Sequence, residues 1–277
     1  MPIITINRGS YSRGKAVAEK LALRLGYTCL SRDILLEASE EFNIPEMKLV
    51  RALHDAPSVL ERFRHGKERY LSYIYSALLQ HASKDNLVYH GLAGQFFLRG
   101  IPHVFKVRII ANMQERVKEE MRRENISADK ALAVLQQDDE ERHKWGLQVY
   151  GTDTRDSRLY DMILHIDRLS VDDAVDIVAA AVQKPAFQAT AQSRKQVEDL
   201  ALAARVKANL AEIAPKAEVA ADQGTVFIGR LNGASANPAV VEKIRKIAEQ
   251  VEGAVKIVFR SELHEQSDHI NPFHNIG

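Results

Sequence analysis

The chain opens on an apolar run, IITIN (3–7), and then changes period: Val17, Leu21 and Leu25 recur at helical spacing, with Gly26 placed to end the helix in a left-handed turn. DNLVYHG (85–91) predicts the next strand, bounded by Asp85-Asn86 and Gly91. HVFKVRIIA (103–111) is rich in β-branched residues and leads into NMQERVKEEMRREN (112–125), where Met113, Val117 and Met121 share a helical face. DMILHI (161–166) predicts a fourth strand. After it, Ser170 and Asp173 are spaced as a capping box for a helix striped by Val171, Val175, Val178 and Val182. Strands alternating with helices over residues 1–183 predict an α/β unit with a parallel sheet covered on both faces.

The pattern lapses at KPAFQATAQSRKQ (184–196), which has a helix-ending proline and no apolar period, and reads as a linker. Beyond it the order changes. Leu202, Val206, Leu210 and Ile213 stripe a helix. AEVAA and TVFIGRL are strand-like and are separated by Asp222-Gln223-Gly224. Asn237-Pro238 is an N-cap and first-turn pair for a helix carrying Val241, Ile244, Ala248 and Val251 and ending at Gly253. AVKIVFRSEL alternates as a half-buried edge or hairpin strand. Residues 197–263 therefore form a second, smaller α+β unit of order α-β-β-α-β, and 264–277 a polar tail. His264, His269 and His274 in that tail are not on one helical face and do not suggest a metal site.

Composition narrows the classes. Hydrophobic residues are 45% and charged residues 27% of 277, as expected of a globular protein, and a net charge of +1 does not point to nucleic acid. The single cysteine, Cys29, cannot pair within the chain and reads as a small core residue. No apolar run reaches the ~18 residues of a transmembrane helix, and no signal-like segment opens the chain, so the cytoplasm is the expected compartment.

The chemistry-bearing stretch is Gly9-Ser10-Tyr11-Ser12-Arg13-Gly14-Lys15-Ala16, a G-x-x-x-x-G-K spacing between a strand and a helix. Glycines let backbone N–H groups converge on phosphate oxygens, the helix N-terminus adds partial positive charge, and the lysine neutralises the terminal phosphates. Ala16 stands where the usual loop carries the hydroxyl that ligates magnesium. A glycine-rich turn with a surface lysine is the other reading of the same residues.

Together with SRDILLEASEEFNI, LVYHGLAGQFFLRGIPHVFKVRI, ERVKEEMRRENIS, DDEERHKW and YDMILHIDRLS, this loop makes residues 1–183 resemble the cytidylate kinase-like family of P-loop nucleoside monophosphate kinases. The resemblance implies a P-loop kinase-like parallel sheet of five strands flanked by helices, with ATP and Mg2+ as cofactors. It implies donor phosphates on residues 9–16 and a small phosphate acceptor near Ser31, Arg32 and Asp33. Lys15, Arg142 and Asp33 are the catalytic candidates it suggests. Asp139 and Arg142 would belong to a lid over the phosphates. Arg116, Arg122 and Arg123, on the helix before the lid, are further candidates, and Trp145 is read as packing. Arg32, Asp33 and the lid charges could equally be solvated helix charges.

Ala16, Ser31 and Leu92 depart from the family's pattern, and His90 and Gln95 near Leu92 do not replace an arginine's two-pronged grip on phosphate. Residues 197–263 resemble the BON domain through GTVFIGRLNG and VEGAVKIVF, which implies a ligand, a lipid surface or a protein partner. Lys243, Arg245 and Lys246 are its candidate basic face, or a solvated helix surface. The expected function is an ATP-dependent phosphotransferase of the nucleoside monophosphate kinase type. The alternative is a catalytically degenerate nucleotide-binding sensor.

Overall fold

A computed structural model describes residues 2–9, 12–31, 33–44, 66–91, 94–231, 237–261 and 263. Ser10, Tyr11, Arg32, Leu92 and the tail 264–277 lie outside the described residues, as does the side chain of Trp145. In chain order the first unit contains β1 (Ile3–Arg8), α1 (Gly14–Leu25), β2 (Thr28–Leu30), α2 (Asp33–Glu41), α3 (Gly66–Ala82), β3 (Leu87–His90) and α4 (Gly94–Phe97). It continues with β4 (Val104–Ala111), α5 (Met113–Glu124), α6 (Ala128–Tyr150), β5 (Met162–Ile166) and α7 (Val171–Val182).

Five strands pair in the order β2-β3-β1-β4-β5, every pairing parallel. The central strand β1 is buried on both faces, which is why it reads as a continuous apolar run. Ile4 and Ile6 pack with Val88, Val107 and Ile109 against α1 and α7. Ile3, Leu87 and Tyr89 face the other layer, with Ile34, Leu71, Ile74 and Leu78. Gly26 ends α1 at φ 68° and donates to the carbonyls of Ala22 and Leu23. The Ser170–Asp173 capping box forms in both directions.

Three expectations change. The fifth strand is Thr28–Leu30, too short to show a period, and its Cys29 is only half-buried. The deepest positions of α5 are Arg116 and Glu120, at 7% and 2% exposure, while Met113, Val117 and Met121 are half-buried. Nor is 184–196 irregular throughout: a helix begins at Ala191, capped reciprocally by Thr190 and Ser193.

That helix, α8 (Ala191–Leu210), precedes β6 (Glu218–Asp222), β7 (Thr225–Gly229), α9 (Pro238–Glu249) and β8 (Lys256–Phe259). It has two buried faces. Val206 and Leu210 join Val226, Ile228, Ile244 and Ile257 in the small core, whereas Val197, Ala204 and Ala208 pack into the layer that holds α3. Arg194 to Asp85 at 2.7 Å and Arg69 to Glu212 at 2.7 Å tie the same surfaces together. β6 and β7 form a hairpin through Gln223 and Gly224, both at positive φ, as a two-residue turn requires. β8 pairs with β7 in parallel, so it is an edge strand and not a hairpin arm, because α9 crosses over between them.

Candidate functional site

β1 delivers its C-terminal end to the turn before α1. Ser12 closes that turn, donating to the Gly9 carbonyl from Oγ at 3.0 Å and from its backbone N–H at 3.3 Å. Arg13 sits at φ 62°, an uncommon conformation for a side-chain-bearing residue. A Cβ on Gly14 would lie 2.7 Å from the Cβ of Arg8, so only glycine lets α1 start this close to β1. α1 begins with no side-chain cap and no acidic residue in its first turn, which suits an anion at its N-terminus.

Beside the turn lies a cavity of about 380 Å³ between the ends of β1 and β4 and the helix α6. Arg8, Arg108, Arg116, Arg142 and Arg155 line it, against two carboxylates among the described residues, Asp139 and Glu140. Each arginine whose bonds are defined is held in place. Arg116 grips Asp139 with both terminal nitrogens, at 2.7 and 2.9 Å, and its guanidinium carbon lies 3.7 Å from where a Gly9 Cβ would stand. Arg142 reaches back from α6 to donate to the Arg8 carbonyl at 3.1 Å.

Arg108 donates to the carbonyl of Thr154 and lies over the ring of Tyr160. Arg155 donates to Asp153 and to His143. Partial burial pushes the Asp153 carboxyl up, but hydrogen bonds from the Arg155 backbone and side chain outweigh it and hold the group below its usual range. Asn7, which neighbours Arg108 across the strands, donates to Gln95 at 3.3 Å on the cavity floor. Clustered guanidinium groups with few carboxylates beside them are chemistry suited to a compact polyanion.

The structure divides the expected residues between two places. Gly9, Ser12, Asp139 and Arg142 meet in the cavity. Lys15 does not line it: the lysine is exposed and pairs with Glu19 at 3.6 Å along α1. Asp33 is the exposed first residue of α2, and Ser31 is half-buried just before it. Lys15 and Asp33 are close enough to act, with Arg8 and Glu19, on the buried His90 at the end of β3. Burial first, and then the Arg8 charge, push the His90 imidazole down to about 4, so it is neutral near pH 7.

Asp139 holds Arg116, and Arg116 is far more central than the sequence suggests. Arg122 and Arg123 pair with acids on their own helix and do not line the cavity. Lys246 and Arg245 likewise meet Glu242 on α9. Arg8, Arg108, His143 and Arg155 are additions that pattern reading missed. A charged residue inside the β-branched run FKVRII was a signal for Arg108; GTDTRD offers none for Arg155.

Comparison with known proteins agrees with this geometry. Residues 3–168 match the model of the cytidylate kinase-like family, more than half of the chain. The chain belongs to that family. Cytidylate kinase-like relatives include the cytidylate kinase of Methanopyrus kandleri, 24% identical over 183 residues, covering 63% of this chain and 87% of that protein. The cytidylate kinase of Thermococcus kodakarensis is 27% identical over 104 residues, covering 38% of this chain and about half, 53%, of that enzyme. A crystal structure of an uncharacterized protein from Eubacterium ventriosum shares the fold at a TM-score of 0.53 and 19% identity, covering 66% of this chain and 99% of that one. For this family member the parallel sheet flanked by helices is a kinase-type scaffold. Residues 191–261 lie outside the family match and carry the small mixed sheet.

Proposed function

We propose that this chain is an ATP-dependent phosphotransferase of the nucleoside monophosphate kinase type, acting on a nucleotide or a similar small phosphate acceptor. The observation that carries the reading is the arginine-lined cavity against the Gly9 turn, closed by α6. Phosphoryl transfer asks for positioning and charge neutralisation more than covalent chemistry, and pre-oriented guanidinium groups supply both. Gly9 to Ala16 would cradle the donor phosphates, Arg116 and Arg142 would neutralise charge as the group moves, and Ser31, Arg32 and Asp33 would address the acceptor. Lys15 would join by leaving Glu19.

Kinases of this type use ATP with Mg2+. Among the described residues no three His, Cys, Asp or Glu side chains converge, and both Asp139 oxygens are engaged by Arg116. That donor set fits magnesium held by phosphate oxygens and water; the other carboxylate of the cavity, Glu140, pairs with Lys144 at 3.4 Å. Residues 1–183 would form the kinase unit and 197–263 a BON-like unit binding a ligand, a lipid surface or a protein partner. The α-β-β-α-β order supports that second assignment. The cytoplasm, where nucleoside triphosphates are plentiful, is the expected compartment.

A second reading, a nucleotide sensor without turnover, is favoured by Ala16 and by the Lys15–Glu19 pair outside the cavity. Incubating the protein with ATP, Mg2+ and each nucleoside monophosphate, and following products by phosphorus NMR, separates the two. Phosphate gained by one acceptor supports the kinase. Tight ATP binding with no product on any acceptor supports the sensor.

A further inference from the structure

Two consecutive Asp-x-Arg units follow α6, and only one of them is built into the cavity. In each, the aspartate accepts from the backbone N–H and the Nε of the arginine two residues on: Asp153 with Arg155 at 2.8 and 3.2 Å, Asp156 with Arg158 at 2.9 and 3.1 Å. The second unit is explained by local structure, since Asp156 caps a single 3-10 turn and Arg158 is 88% exposed. The first carries an added part. His143, from α6, donates from Nδ1 to Asp153 at 3.0 Å and receives Nη2 of Arg155 on Nε2 at 2.9 Å.

We infer that Arg155 is a ligand for the anion bound in the cavity, and that Asp153 and His143 are its positioning residues. This rests on the reading of the cavity as a phosphate site and assigns it a residue beyond the turn and the lid. Arg155, Thr154 and His143 all line the cavity, whereas Arg158 does not. Nε and Nη2 of Arg155 are committed to the clamp, and Nη1 has no bond among the described residues, which leaves that donor for a ligand. A long side chain that is 60% exposed loses rotamer freedom when held by several bonds, and that ordering strengthens binding only if a ligand then uses the fixed group.

The clamp also dictates the state of the imidazole. A guanidinium has no acceptor, so Nε2 facing it must be unprotonated and the proton must sit on Nδ1, toward Asp153. The charges around His143 are Asp153 and Arg155 on the loop, Arg108 on β4, and Asp139, Glu140 and Lys144 along its own helix.

The test titrates the full chain with inorganic tripolyphosphate by calorimetry. Arg155→Gln is expected to weaken binding about tenfold, the loss of one charge-assisted bond, while Arg158→Gln stays within about twofold of wild type. His143→Phe is expected to weaken binding in the wild-type background and to add nothing in the Arg155→Gln background, because it acts through that arginine. Nitrogen NMR of the wild-type protein, which needs no variant, is expected to show His143 as the Nδ1–H tautomer. Wild-type affinity in Arg155→Gln overturns the inference and leaves the phosphate site standing. So does a His143→Phe effect that is fully additive, or a proton on Nε2. No binding of tripolyphosphate by the wild-type chain overturns the phosphate site itself and the inference with it.

Discussion

Arg116→Ala tests the cavity most directly. Arg116 is buried to 8% side-chain exposure, its partner Asp139 to 36%, and the pair is joined by two short bonds. Truncation removes one cation that lies against the Gly9 turn and releases a carboxylate into the same space. A charge-assisted hydrogen bond contributes about 1.5–3 kcal/mol, and opposite charges about 5 Å apart at an effective dielectric of about 20 interact by about 3 kcal/mol. ATP affinity is therefore expected to fall about 10- to 150-fold.

Stability falls somewhat less. Asp139 is exposed enough to regain water, so the loss is about 1–2 kcal/mol, read as a drop of a few degrees in Tm. The double variant Arg116→Ala with Asp139→Asn restores the charge balance and is expected to recover part of the affinity. ATP affinity within about twofold of wild type, in an Arg116→Ala protein that still melts cooperatively, would show that the cavity is not where the triphosphate sits.

Glu19→Gln releases Lys15 from an exposed pair that contributes no more than about 1 kcal/mol, so ATP affinity should rise about fivefold at most. Lys15→Ala should then lower affinity in both backgrounds, and unchanged affinity in both removes Lys15 from the site. His90 is held below its unfolded value of about 6.5, so its neutral form favours the folded state; that stability is present above about pH 6.5 and is lost as pH falls toward about 4. The depression corresponds to about 3 kcal/mol, and the buried His103, lowered chiefly by burial, acts in the same direction. Denaturant midpoints at pH 7 and pH 4.5 should differ less in His90→Asn than in wild type, and an identical difference refutes the assignment. Gly94→Ala would place a Cβ 2.6 Å from the buried Tyr89 ring and should cost about 1–3 kcal/mol in a calorimetric melt; a wild-type Tm would mean that the ring yields freely.

Much of the scaffold is legible in the chain because it depends on local periods and caps. β1, the helix from Gly14 to Leu25, the Ser170–Asp173 box and the order of the C-terminal elements follow from spacing alone. The turn at Gly9 is legible as a motif, since backbone convergence on phosphate needs glycine at set intervals, whereas Arg142 is a candidate only through the family resemblance. Short or two-faced elements escape. Thr28–Leu30 is a strand only because β3 pairs with it, and α8 is buried on two sides by two different cores.

The guanidinium cluster escapes for a related reason. Arg8, Arg108, Arg116, Arg142 and Arg155 come from five separate stretches of sequence, and each alone looks like an ordinary strand-end, helix or loop charge. The sequence by itself determined the layers, the turn and the helix that covers it, because those follow from periodicity and backbone freedom. Which charges share one small volume, and that Arg116 faces Gly9, was decided by how β1, β4, α5 and α6 meet, since like charges converge only where folded elements hold them against their mutual repulsion.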